Sequence, residues 1–173
     1  PEAQALYQLR LQQKPYLKLY EEMVLGLAET LMIQGRWKDA RDLLVRAERR
    51  VNSFEVKTQV LWLRTRVEKK MNNEKLACRA ALVLYSKYPF SPLISKWNII
   101  FKENILDENE KLTCHPSERQ VQDRLRYLQL SGNSSRANAE VAELNKHPIN
   151  HDWDIKKLQV SVLSQEREIK KAY

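Results

Sequence analysis

Apolar residues recur every three or four positions along almost the whole chain, the spacing of amphipathic helices rather than strands. Ala5, Leu6 and Leu9 predict a first helix near residues 2–14. Pro15 suits the opening position of a second, where its missing N–H costs nothing, and Leu19, Met23, Leu27, Ala28 and Leu31 form its stripe up to Gly35. A third is expected from Trp37 to Arg50 on Ala40, Leu43, Leu44 and Ala47. Ser53 is a suitable N-cap for a fourth, carrying Val60, Leu61, Leu63 and Val67 and stopping near Asn72-Asn73. A fifth, over 74–87, carries Leu76, Ala77, Ala80, Ala81 and Leu84 before Pro89.

Ser91-Pro92 restarts a helix expected over 92–105, through Leu93, Trp97, Ile100, Phe101 and Ile105. Residues 107–116 are expected to be the longest non-helical connection. Ser117 and Gln120 have capping-box spacing and open a helix through Val121, Leu125 and Leu128, which Gly132-Asn133-Ser134 breaks. The next, through Ala137, Val141 and Leu144, ends at Pro148, and a last one is expected over 153–171. The pattern predicts an all-α chain of about nine helices, with connections short enough to make neighbours antiparallel.

Composition agrees with that reading. Among 173 residues there are 24 Leu but only 11 Val, 8 Ile and 4 Thr, a balance that favours helix over sheet. Three glycines are far below the usual ~7% and nearly exclude Gly-rich phosphate loops. No run of eighteen apolar residues predicts a membrane span. Pro1 in place of Met, with no charged-then-apolar leader, leads us to expect an excised domain of a longer intracellular protein, nuclear or cytoplasmic. Cys78 and Cys114 are too few for a disulfide scaffold and are expected to be reduced thiols.

Three pieces of the chain share one pattern. In LGLAETLMIQGRWKDARDLLVRAERR, Leu27-Ala28, Leu31, Gly35, Trp37, Ala40, Leu44 and Ala47 describe a helical hairpin closed by small residues and a glycine turn. A second copy lies 37 residues on, with Leu61, Asn72, Ala77, Leu84 and Pro89, and departs from the pattern at Arg64, Thr65 and Glu68. A third, 60 residues further, has Leu125, Leu128, Gly132, Ala137, Val141, Leu144 and Pro148. This pattern resembles the tetratricopeptide repeat (TPR). Trp62, Glu68, Ala77, Pro89 and Trp97 also resemble the half-a-TPR repeats of RNA-processing scaffolds. The resemblance implies one domain over 1–173, a TPR-like α-solenoid with hairpins near 16–52, 54–89 and 117–148. Helix 92–105 would be inserted and helix 153–171 would cap the stack.

Signals for chemistry are sparse. His115, His147 and His151 lie in no nucleophile motif, and Glu21-Glu22 read as solvated charges. Cys114, His115, His147 and His151 could in principle hold zinc, but Pro148 breaks the helix that would align the last two. We therefore expect no catalysis, no cofactor, no metal and no small-molecule substrate.

Charge is the informative feature. Of the net +8, residues 36–79 contribute +7, from thirteen basic and six acidic side chains. The TPR resemblance implies a concave groove lined by the first helix of each hairpin. Its positions would be Glu22, Leu25, Glu29, Met32 and Ile33, then Gln59, Trp62, Arg66, Lys69 and Lys70, then Arg119, Gln122, Arg126 and Gln129. The partner-binding residues implied are Trp62, Arg66, Lys69, Lys70, Arg119 and Arg126, facing an acidic or amphipathic segment of a partner protein. Leu25 and Glu29 stand where the family's carboxylate clamp needs Lys and Asn. The alternative is nucleic-acid binding through Arg46, Arg49, Arg50, Lys57, Arg64, Lys69 and Lys70, interrupted by Glu48, Glu55 and Glu68.

Overall fold

The computed structural model describes residues 5–9, 17–94 and 114–146. Residues 5–9 are helical. Six longer helices follow: α1 (Leu17–Ile33), α2 (Trp37–Arg50), α3 (Phe54–Lys70), α4 (Glu74–Lys87), α5 (Glu118–Leu130) and α6 (Ser134–Lys146). The described residues contain no strand. Of the two other helices expected, 153–171 lies outside the described residues, and 92–105 is described only at 92–94, which form a turn.

The six helices form three hairpins that turn in the same way. Two residues past the end of each first helix lies a residue with positive φ: Gly35 at 72°, Asn72 at 59° and Gly132 at 79°. At each, two amides turn back onto the helix just ended. Gly35 and Arg36 donate to Met32 and Leu31, Asn72 and Asn73 to Lys69 and Glu68, and Gly132 and Asn133 to Gln129 and Leu128. This closes orphan carbonyls in a left-handed cap that glycine and asparagine adopt at least cost. Five residues past each of these lies an alanine, Ala40, Ala77 or Ala137, fully buried, so the second helix can lie close against the first.

Two cores meet at α3. Tyr20, Val24, Leu27, Ala28 and Leu31 of α1 pack with Ala40, Leu43, Leu44 and Ala47 of α2 and with Val60, Leu63 and Val67 of α3. Leu61 of α3 packs instead with Ala77, Ala81, Leu84 and Tyr85 of α4, Val121, Leu125 and Leu128 of α5, and Ala137, Val141 and Leu144 of α6. Buried on more than one side, α3 has no clean apolar stripe. The helical segment at 5–9 docks on α1 at Gly26, where an added Cβ would lie 2.7 Å from the Tyr7 hydroxyl oxygen.

Local capping follows the sequence at one end of the molecule and departs from it at the other. Ser117 and Gln120 form the expected capping box at α5, their side chains bonding each other's backbone amides. Ser53 stands at the N-cap of α3, but its hydroxyl caps no amide. Glu21 of α1 reaches across and accepts from the Asn52 and Ser53 amides at 2.9 and 3.2 Å. This corrects the reading of Glu21 as a solvated charge: it is buried, whereas Glu22 beside it is exposed. The Asn52 amide holds the Glu21 carboxyl below its ordinary value of 4.5; burial opposes this and the Ser53 amide reinforces it.

The cysteines also correct the expectation. Cys78 on α4 and Cys114, just ahead of α5, form a disulfide with Cα atoms 5.4 Å apart, and Cys114 is buried in the second core. Sequence alone could not pair them, because 36 residues separate them and only the packing of α4 against α5 brings them together.

Two predictions follow from these contacts. Cys78→Ser with Cys114→Ser should lower stability by about 2–4 kcal/mol, read by urea unfolding, and reductant should shift the parent protein by a similar amount but not the variant. Glu21→Gln should be less stable at neutral pH. A depressed carboxyl pKa contributes stability above its unfolded value and loses it as pH falls through the folded value, so the two melting temperatures should converge on acidification.

Candidate functional site

Equal distances from the three turns define equivalent positions on α1, α3 and α5. One set is Glu22, Gln59 and Arg119, and the next is Leu25, Trp62 and Gln122. Glu29, Arg66 and Arg126 follow, then Met32, Lys69 and Gln129, and last Ile33, Lys70 and Leu130. Most of these side chains reach the surface: Arg119, Arg126, Lys70, Gln59, Glu22 and Glu29 are exposed, and Trp62, Arg66, Lys69, Leu25 and Met32 are half-buried. Gln129 does not fit the expectation, since it is buried. Helix α1 packs against α3, so the first two members of each set lie on neighbouring helices, whereas α5 packs against α4 and α6.

Two of the expected contact residues carry structural duties. Trp62 packs against the second core rather than standing as a free aromatic face. Lys69 Nζ lies 2.5 Å from Glu74 Oε1, across the α3–α4 turn. Arg66, Arg119 and Arg126 have no ion-pair partner among the described residues.

The wider basic segment is depleted by its own fold. Lys57 Nζ donates to the carbonyls of Glu48 and Val51 at the end of α2. Arg64 pairs with Glu48 and lies 3.9 Å from Glu68 Oε1. Arg36 pairs with Asp39, and Arg41 with Asp42. Of the seven residues expected to meet nucleic acid, Lys57, Arg64 and Lys69 are thus engaged within the chain.

The departures at Arg64, Thr65 and Glu68 acquire a physical account. Thr65 is fully buried and its hydroxyl donates to the Leu61 carbonyl at 2.9 Å. Glu68, also buried, accepts from Asn73 Nδ2 at 3.0 Å. Arg64 and Arg124 occupy the position of Leu27, eight residues before the turn. In the third hairpin Glu140 occupies the position of Leu43, eight residues after it. An apolar pair in the first hairpin is therefore an ion pair in the third. Arg124 Nε and Nη2 meet Glu140 Oε2 and Oε1 at 2.8 and 2.9 Å. Its Nη1 donates to the Tyr85 carbonyl at 3.0 Å, and its guanidinium lies over the Tyr85 ring at 4.5 Å. Burial pushes the Tyr85 phenol up, against the opposing charge of Arg124.

His115 is exposed in a non-helical stretch, and Cys114, weighed as a zinc ligand, is held in the disulfide. His147 and His151 lie outside the described residues. Among the described residues no group of three His, Cys, Asp or Glu is placed to hold a metal, and no helix is long and apolar enough to cross a membrane. Comparison of the chain with protein-family models, with curated proteins and with solved structures returns no match.

The contrast between two arginines on α5 is measurable. Arg124→Ala should cost about 3 kcal/mol of stability, because it strands a partly buried carboxylate and an aromatic face. Arg126→Ala, exposed on the other side, should leave thermal unfolding unchanged within about 0.5 kcal/mol.

Proposed function

We propose that this chain is a non-catalytic protein–protein interaction scaffold of TPR-like helical repeats, working within a multi-protein complex and holding an acidic or amphipathic segment of a partner. The observation that supports the reading is the set of three like turns, each with a positive φ and two backward hydrogen bonds and each followed five residues on by a buried alanine. Repeats of this kind present extended surfaces that take up peptide segments. Arg66, Arg119 and Arg126 supply guanidiniums without internal partners among the described residues, suited to bidentate contact with carboxylates. Leu25, Met32 and the exposed Ile33 supply apolar surface on α1.

Nucleic-acid binding is the second reading. Lys57, Arg64 and Lys69 satisfy carbonyls and carboxylates of the chain itself, which leaves fewer cations for phosphates than the sequence promises. As to location, the disulfide favours an oxidising compartment over the nucleus or cytoplasm expected from the sequence.

Capture on the immobilised chain, with and without nuclease, tests the proposal. Recovery of a protein partner should survive nuclease and fall about tenfold on Arg66→Glu with Arg126→Glu, with the melting temperature unchanged. Recovery that disappears with nuclease, and falls log-linearly with salt, would put nucleic acid first.

A further inference from the structure

Once the internal contacts of the basic segment are assigned, three arginines stand out. Arg46, Arg49 and Arg50 occupy i, i+3 and i+4 near the end of α2, all exposed and with no carboxylate partner among the described residues. With Tyr20 and Leu43 they line an open hollow of about 370 Å³. Its floor is apolar, since Tyr20 and Leu43 belong to the first core, and Arg50 lies over the Tyr20 ring at 4.3 Å.

Arginines in a last helical turn ordinarily serve that helix's own carbonyls. Here three of those carbonyls have other partners. The Val51 amide bonds to the Ala47 carbonyl at 2.9 Å, and Lys57 Nζ takes the Glu48 and Val51 carbonyls. Those three carbonyls are thus taken by a backbone amide and a lysine rather than by the arginine trio.

The hollow continues into a second cleft of about 480 Å³, with Leu43 and Arg46 lining both. Leu27 and Leu31 extend its apolar lining toward the first turn, and there the charges cancel, Arg36 against Asp39 and Arg41 against Asp42. The α1–α2 surface thus carries two adjoining hollows, one neutral toward the 34–36 turn and one positive at the end of α2.

We propose that this surface docks an acidic, amphipathic peptide segment of a partner protein, an apolar side chain resting on Leu43 and carboxylates meeting Arg46, Arg49 and Arg50. Charge complementarity sets its register, with the acidic end at the α2 C-terminus. A nucleic-acid strand fits less well. Arg50 already covers the ring on which a base would stack, and an apolar floor gives nothing to a phosphate backbone. The hollow shares no residue with the α3 and α5 positions above, so the chain would carry two separate docking surfaces.

Fluorescence anisotropy on the whole chain tests this with two dye-labelled peptides of equal charge, one of glutamates and leucines, the other of glutamates and serines. The leucine peptide should bind about tenfold more tightly than the serine peptide. Arg46→Glu with Arg49→Glu should weaken it about tenfold, while Lys75→Glu with Arg79→Glu, an equal change of charge on exposed positions of α4, should cost less than about threefold. Unchanged thermal melting of each variant excludes misfolding as the cause. Equal losses in the two charge-reversed variants, or equal binding of the two peptides, would overturn the proposal. So would a single-stranded oligonucleotide that displaces the peptide and loses it again on Arg46→Glu. If Arg66→Glu with Arg126→Glu abolished binding and the Arg46 variant did not, the hollow would be refuted and the scaffold reading would stand.

Discussion

The left-handed residue just past the end of each first helix is the constraint on which the described architecture rests. At Gly35, Asn72 and Gly132 the chain leaves one helix with two backward hydrogen bonds and starts the next within two residues. So short a reversal fixes the second helix against the first, and the alanine five residues on sets how close the pair can come. Glycine has no Cβ to clash at positive φ. Asparagine is the side chain that best tolerates it, which is why the second hairpin can turn without a glycine.

With the backbone arrangement held constant, the contents of the hairpins are free to differ. Leu27 and Leu43 close the first one with hydrocarbon, whereas Arg124 and Glu140 close the third with a bidentate ion pair. The second is intermediate, with Arg64 at the leucine position and Ala80 opposite, so Arg64 turns to Glu48 and Glu68 instead. Such pairs contribute little net stability over an apolar pair but are costly to break singly. Arg124 also ties α5 to both α4 and α6, bonding the Tyr85 carbonyl on one and the Glu140 carboxylate on the other.

The same chemistry governs what is left for function. A basic stretch read one residue at a time promises a broad cationic face, yet Lys57, Arg64 and Lys69 are spent on neighbouring helices. What survives is local: Arg66, Arg119 and Arg126 on the first helices of the hairpins, and Arg46, Arg49 and Arg50 beside an apolar hollow on the first. Localised guanidiniums over hydrocarbon suit a side chain of mixed character better than they suit a uniform polyanion.

The sequence by itself determined the local features. The all-helical class, the span of α2 from Trp37 to Arg50, the Ser117–Gln120 capping box and the three turns all follow from spacing and from residues that cap or reverse a chain. Each depends on contacts only a few residues apart. Only the tertiary structure decided which long-range partners meet. Glu21 looked solvated until α1 came to lie beside the start of α3, and Cys78 and Cys114 looked free until α4 met the approach to α5. Trp62 looked like an open anchor, and became a wall of the second core because α3 is covered on more than one side. Periodicity reports which face of a helix is apolar, but neither what that face meets nor which residues pair at separations of 16 or 36 along the chain.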